Sequence, residues 1–275
     1  MNSKVRKILW RTIPVLIMLL LLPEITLIMV SVYYNEDLKT LVLNDLNKRI
    51  RGSVSLHDIQ LSHFVNWPFI NLKINDLRVV YHSNTLPESG IFKASTLAIQ
   101  VNPIQALAGK IVVRRIELKG VQAYLHIDEY GNSNLDIFKP ITRRSASTEG
   151  KLNLDIKKVV FDSVFFQFKD LSKDKNIALL YRKGVCKIKH ESTNTALELS
   201  GNVYFNGLGF NMQKGAFLKD TEGEIHIEAV YDEQNRNFDF KNALLRCHGY
   251  QYLVKGTIGF ADSIVLDLHI DAPAT

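Results

Sequence analysis

The sequence predicts a mainly β protein: an N-terminal transmembrane helix, then a long curved antiparallel sheet forming a β-groove, with one or two short helices. Three observations carry that reading. A long apolar run follows a basic head. Beyond it, apolar residues recur at every second position along most of the chain, the mark of strands buried on one face. Turn-forming clusters, rather than helical stretches, separate those alternating runs.

Residues 1–11 are the basic head. Lys4, Arg6, Lys7 and Arg11 carry four of the net six positive charges, and with Glu24 also set aside the chain beyond Tyr34 keeps only +3. Residues 12–34 are the expected anchor, with Ile13, Leu16, Leu20, Ile25, Ile28 and Val32 among its apolar residues. Roughly 20 such residues at about 1.5 Å each span a hydrocarbon core of about 30 Å. A cleaved signal peptide has a shorter apolar region and a small-x-small site, whereas this run closes on Val32-Tyr33-Tyr34, in the manner of an interfacial aromatic belt. Basic residues before the span and Asn35-Glu36-Asp37 after it place the N-terminus in the cytoplasm and the bulk of the chain across the membrane. Glu24, within the span, either meets a partner helix or is neutral or reaches an interface.

Residues 35–140 read as one module. A helix is expected over 36–51, with Leu38, Leu41, Val42, Leu46 and Ile50 on one stripe, acids in its first turn, bases in its last, and Gly52 as its stop. From Ser53 the period becomes two, but with slips. Val54 and Leu56 share a face, His57-Asp58 is skipped, and Ile59 and Leu61 resume it. Leu72 and Ile74 skip to Leu77, Val79 and Tyr81; Ile116 and Leu118 skip Lys119-Gly120 to Val121, Ala123, Leu125 and Ile127. Each slip is expected to be a β-bulge that bends the strand, or a turn between two short strands. A short helix is expected from Asn102 as N-cap through Pro103 to Ala108, stopped by Gly109.

Residues 141–150, "ITRRSASTEG", have linker character, and 151–275 continue the strands. There Leu154 and Ile156 skip to Val159 and Phe161, and then to Val164, Phe166 and Phe168. Hairpin loops are expected at 129–132, 172–176, 190–194 and 232–237, with further turns at Gly207-Leu208-Gly209 and Lys214-Gly215. Strands following strands with almost no helix between them exclude parallel crossovers and imply a mostly antiparallel meander. The last run, Ile264 to Ile270, leaves an edge that a partner or further sequence would cover.

No motif for chemistry emerges. The eight histidines stand singly, no H-x-x-x-H or C-x-x-C occurs, and there is no nucleophile elbow, P-loop or dinucleotide fingerprint. His126, His226 and His269 fall on the polar side of strands. No catalytic residue, metal or cofactor is expected, and the protein reads as a non-enzyme. A nearly balanced surface without Lys/Arg clusters interleaved with aromatics argues against nucleic acid. Cys186 and Cys247 either pair in an oxidising compartment or remain buried thiols.

Over residues 46–138 the order of motifs resembles the N-terminal module of the AsmA family of bacterial envelope proteins. "LNKRIRGSVSLHDIQLSHFVNWPFINLKINDLRVV" and "FKASTLAIQVNPIQALAGKIVVRRIELKGVQAYLHIDEYGNSNLDIF" carry the resemblance. It implies an inner-membrane-anchored protein facing the periplasm of a Gram-negative bacterium. Larger relatives, TamB-like proteins included, look like repeating β-groove proteins proposed to carry lipids between membranes, and family members are usually much longer. The expected function is phospholipid transport or outer-membrane homeostasis. The alternative is a structural or assembly factor that binds an envelope protein, or itself, through the terminal β edge.

A gutter with one apolar face suits an acyl chain. Exposing a 16-carbon tail to water costs on the order of 12 kcal/mol at about 0.8 kcal/mol per CH₂. The candidate groove residues are Leu56, Leu72, Ile74, Ile116, Leu118, Val121, Leu125, Ile127, Phe161, Phe166 and Phe168. The competing reading of each is plain core under another layer. About 13 strands at about 4.8 Å each reach roughly 60 Å, which is short for an envelope and implies partners, oligomers or further sequence.

Overall fold

The computed structural model describes residues 35–62, 69–82, 89–102, 105, 111–138, 154–191, 193–209, 211–216, 218–259 and 265–271. The basic head, the anchor with Glu24 and the 141–150 segment lie outside them. Among the described residues no helix is long and apolar enough to cross a membrane.

One helix, α1 (Asn35–Arg49), precedes thirteen strands. They are β1 (Gly52–Ser55), β2 (Asp58–Ser62), β3 (Ile70–Tyr81), β4 (Ser89–Val101), β5 (Ile111–Ile127), β6 (Leu154–Ile156), β7 (Lys158–Asp170) and β8 (Lys175–Glu191), then β9 (Asn194–Gly209), β10 (Thr221–Asp232), β11 (Asn237–Cys247), β12 (Tyr250–Gly259) and β13 (Val265–Asp271). All belong to one sheet, ordered β1-β3-β4-β5-β7-β8-β9-β10-β11-β12-β13, with β2 also on β3 and β6 also on β5. The substantial contacts of each strand are with its hydrogen-bonded neighbours, so no second sheet packs on the first among the described residues.

The mainly β reading holds and most pairs are antiparallel, but the exclusion of parallel crossovers does not hold. β5 and β7 run parallel, from Ile116 opposite Val159 to Ile127 opposite Asp170, and β6 is parallel to β5 as well. Parallel neighbours need a connection of a dozen or more residues, and residues 128–157 supply one. Its described part is a turn and a 3₁₀ helix, Asn134–Phe138. In the turn, Asp128 accepts the backbone N–H groups of Tyr130 and Asn132 at 2.9 and 2.8 Å and the Asn132 amide at 2.8 Å. The Asn132 side-chain bond leads the interactions that hold the Asp128 carboxyl below its ordinary pKa.

The hairpin turns at 172–176, 190–194 and 232–237 fall between strands as expected, within a residue or two. Gly207-Leu208-Gly209 does not form a turn, but ends β9 as strand. Of the expected short helix, Asn102 and Gln105 are described, and the Asn102 side chain accepts the Gln105 N–H at 3.3 Å, as an N-cap does. Gly52 does not stop α1. It opens β1 opposite Tyr81, where a Cβ would lie 2.1 Å from the Val80 carbonyl oxygen, so close backbone approach explains this glycine. Leu46, placed inward by the helical stripe, is exposed, while Leu43 and Ile50 pack on the sheet.

Most of the slips of phase form one transverse seam, and the slip between Ile156 and Val159 lies apart from it at the β6–β7 junction. β4 carries one too, between Ala94 and Leu97. Across β3–β4, β4–β5, β5–β7 and β7–β8 the register is the same on both sides of the slip, so each strand slips opposite its neighbour's slip and none gains a residue there. Asp76, Gly120 and Ser163 take the left-handed conformation, with φ of 50°, 58° and 58°, which turns the following residues to the face they would otherwise leave. The seam ends between β8 and β9, where Tyr181 faces Val203 but Lys183 faces Asn202. Along the seam's polar side Asn75 donates to Asp58 at 2.7 Å and Thr96 donates to Asn75 at 3.3 Å. Burial raises the Asp58 pKa, but bonds from Asn75 and Gln60 and the charges of His57 and Lys73 outweigh it and hold the group low.

Candidate functional site: the apolar face of the sheet

Because matched slips preserve the facing of every strand, the apolar residues line up in cross-strand rows. One row runs Ile59–Ile74–Leu97–Leu118–Phe161–Gly184–Gly201–Ile225–Leu245–Tyr252. Its neighbour across the seam runs Ala94–Val121–Val164–Tyr181–Val203–Gly223–Cys247–Tyr250. A third holds Phe92–Ala123–Phe166–Leu179–Phe205. The opposite face is mainly polar, with Lys, Glu, Asn and Gln in the alternate positions.

The two ends of this apolar face differ in what covers them. Over β1–β5, α1 lays Leu43 and Ile50 on a core of Val54, Leu56, Ile59, Ile74, Leu77, Ala94 and Val121, joined by Val164 of β7. The Asn47 side chain accepts the Val54 N–H at 2.6 Å and fixes the helix to β1. Nearby, the 3₁₀ helix seats the fully buried Ile137 against Tyr81 and Ile91, and the Ile137 carbonyl accepts the Arg51 N–H at 2.9 Å. Asn134 locks that segment to β5, accepting the His126 N–H at 3.0 Å and donating to the Tyr124 carbonyl at 2.8 Å. Over β8–β13 no helix or strand makes substantial contact with the apolar face among the described residues, although Val203, Phe205, Ala229, Ala243 and Cys247 on it are buried.

The groove candidates therefore divide. Leu56, Ile74 and Val121 are core of the covered end, 7%, 6% and 2% exposed, and are not available to a ligand; this corrects their place in a groove. Leu72, Leu118 and Phe161 are half-buried and pack at the margin of that core. Ile116, Leu125, Phe166 and Phe168 are half-buried on the same face. Ile127 sits at the rim opposite the buried Asp170, whose carboxylate accepts from the Ser172 hydroxyl at 2.6 Å and the Lys173 N–H at 3.1 Å. Residues of β8–β13, such as Leu179, Val203, Ile225, Leu245 and Tyr252, continue the face and escaped the sequence reading. Their period-two pattern was visible, but not the register that aligns it with β7.

The phenol of Tyr181 stacks on Phe161 with centroids 5.5 Å apart. Burial, with a smaller contribution from Cys186, pushes its pKa up to about 12. Burial, with Glu198, raises the Cys186 thiol, and burial raises Cys247; both cysteines are free, on β8 and β11. Thiols held protonated in this way are poor nucleophiles. Among the described residues no cluster of His, Cys, Asp and Glu is arranged to hold a metal. What the face offers chemically is apolar area. No family model matches the chain, and no curated protein matches it.

Proposed function

We propose that this protein is a membrane-anchored β-groove protein of the AsmA type, which holds phospholipid acyl chains on its apolar face and acts in lipid transport or homeostasis of a Gram-negative envelope. The observation that carries the reading is the half-buried apolar stretch of β8–β13 (Leu179, Ile225, Leu245, Tyr252), on which no helix or strand stands among the described residues and which is continuous in register with Phe161, Phe166 and Phe168 of β7. Apolar area left bare in water is unfavourable by about 25 cal/mol per Å², and an acyl chain laid along it removes that term for both partners. Open sheets of this strand number curl rather than lie flat, which supports a gutter. The apolar run at 12–34 behind a basic head supports an inner-membrane anchor with the sheet in the periplasm.

Site-specific photocrosslinking in intact cells tests this. A photoreactive residue at Phe166 or Phe240, on the apolar face, is expected to give phospholipid adducts, whereas Gln167 or Asn242, on the polar face, gives none. Protein adducts in place of lipid at the apolar positions, or no adduct at all, would refute the lipid reading. A second reading rests on β13, which among the described residues pairs only with β12 and leaves Leu268 exposed. Strand addition by an envelope protein or a second copy at that edge predicts adducts at β13 rather than on the face.

A further inference from the structure

On the polar face, at the end of the sheet where β5 and β7 begin, the strands build a second site of different chemistry. The register between β4 and β5 shifts between Gln100–Arg115 and Val101–Val113, so Arg114 has no partner in β4 and both Arg114 and Arg115 stand between the apolar Val113 and Ile116. A bulge is a recurrent means of re-aiming a side chain. Here it doubles the cationic charge at one spot. Arg115 lies in a cross-strand row with Asn71, Gln100 and Lys158. These residues, with Arg114, Ala98 and Glu117, line a cavity of about 320 Å³.

Three cations and one carboxylate line that cavity. Glu117 meets the Arg115 guanidinium at 3.3 Å, yet Arg115 Nε is enclosed and without a hydrogen-bond partner. A donor left without an acceptor in this way is unfavourable. Arg114 is held in place over the Phe69 ring, 4.5 Å from its centroid. Lys158 makes no ion pair among the described residues. Asp155, outside the cavity lining, pairs through Oδ2 with Lys157 at 2.7 Å, while its Oδ1 is enclosed without a hydrogen-bond partner. The larger cavity at the opposite end of the sheet contrasts with this. There Arg182 meets Glu222 at 2.6 Å and Arg246 meets Glu224 at 4.0 Å, so its cations are already answered.

We infer that the Arg114–Arg115–Lys158 cavity binds a phosphate group, either of a free phosphate compound or of a lipid headgroup. An anion there supplies the acceptor that Arg115 Nε lacks, and the guanidinium forks and ammonium together match the oxygens of a phosphoryl group. The site stands on the face opposite the apolar one, and its existence does not rest on acyl-chain binding.

The test uses the full chain in an uncharged detergent, titrated with inorganic phosphate and, separately, with dihexanoyl-phosphatidylglycerol and dihexanoyl-phosphatidylcholine below their micellar concentrations. Saturable binding of at least one probe is expected, weakened about tenfold or more in Arg115→Gln and in Lys158→Gln. Glu117→Gln is expected to tighten binding, since it removes the one carboxylate in the cavity. That variant keeps the inference testable even where an arginine variant fails to fold. Binding of inorganic phosphate alone assigns the site to a free phosphate compound, and binding of the glycerophospholipid probes assigns it to a headgroup. No saturable binding of any probe, or binding untouched by Arg115→Gln, Lys158→Gln and Glu117→Gln together, overturns the inference.

Discussion

The β1–β5 end of the sheet and the β8–β13 end are written in the same code and finished differently. Both alternate apolar and polar residues, and both share the same cross-strand rows. At the first end α1 and the 3₁₀ helix close the apolar face, and Ala94, Val121 and Ile137 reach 0%, 2% and 0% exposure. At the second, Val203 and Cys247 in Val121's own row reach 2% and 5%, but Leu179, Ile225, Leu245 and Tyr252 stay half-buried. An alternating pattern thus establishes which face is apolar and leaves open what lies on it. The cover is non-local: Leu43 reaches the sheet from the preceding helix, and Ile137 from the β5–β7 crossover.

The same charge placed in the covered core and on β7, between the two ends, gives the sharpest separation. Val121→Asp puts a carboxylate where no water or donor reaches it, and is expected to lower stability by about 3–5 kcal/mol or abolish folding. Phe166→Asp, on the half-buried stretch, is expected to lower stability by no more than about 1–2 kcal/mol. Chemical denaturation of the two variants checks this. Equal losses would mean that Phe166 is as enclosed as Val121 and that the face is covered along its whole length.

Tyr181, where the covered and uncovered ends meet, gives a pH signature. Its pKa is about 12 in the folded chain against an ordinary 10, so the folded state holds its proton more tightly than the unfolded one does. That stabilisation is complete below pH 10 and is lost as pH rises through 12, in total about 2–3 kcal/mol. Tyr181→Phe is expected to flatten that part of the stability curve. An unchanged slope between pH 10 and 12 would show that the phenol meets solvent, and that the uncovered part of the face begins one strand earlier.

Much of the fold was legible because a strand's two faces are set by neighbouring residues. Period two named the apolar faces of β1–β7, and Asp, Asn and Gly clusters named the turns at 129–132, 172–176 and 232–237. The parallel β5–β7 pair was not legible, because nothing in "ITRRSASTEG" distinguishes a domain linker from part of a crossover. Of the groove candidates, Phe161, Phe166 and Phe168 could be placed on the apolar face, but not told apart from Leu56, Ile74 and Val121, which differ only in having a helix above them. The anion cavity escaped notice because Arg114 and Arg115 looked like the polar phase of a strand. It takes the β4–β5 register shift to put both on one side.

The smallest effect concerns the seam that keeps the two ends in phase. Three strands cross it in the left-handed conformation, and only one, β5, uses glycine there: Gly120 at φ 58°, with Asp76 at 50° and Ser163 at 58°. A non-glycine residue in that region is strained by roughly 1–2 kcal/mol, partly offset because glycine leaves the unfolded chain freer by about 0.5–1 kcal/mol. Ser163→Gly is therefore expected to raise stability slightly, by a few tenths to about 1 kcal/mol, even though it removes the bond from the Ser163 hydroxyl to Asp162 at 3.0 Å. Gly120→Ala is expected to lower stability by a similar or larger amount, since its new Cβ would lie 2.6 Å from the Ser95 hydroxyl oxygen. Paired urea denaturation curves read both changes. Opposite signs mean that the left-handed residues set the phase of the rows across β3–β8. A loss in both would mean that the Ser163 hydroxyl, and not its backbone angle, holds the crossing, and the phase of β7 would then depend on side-chain bonding that β5 does without.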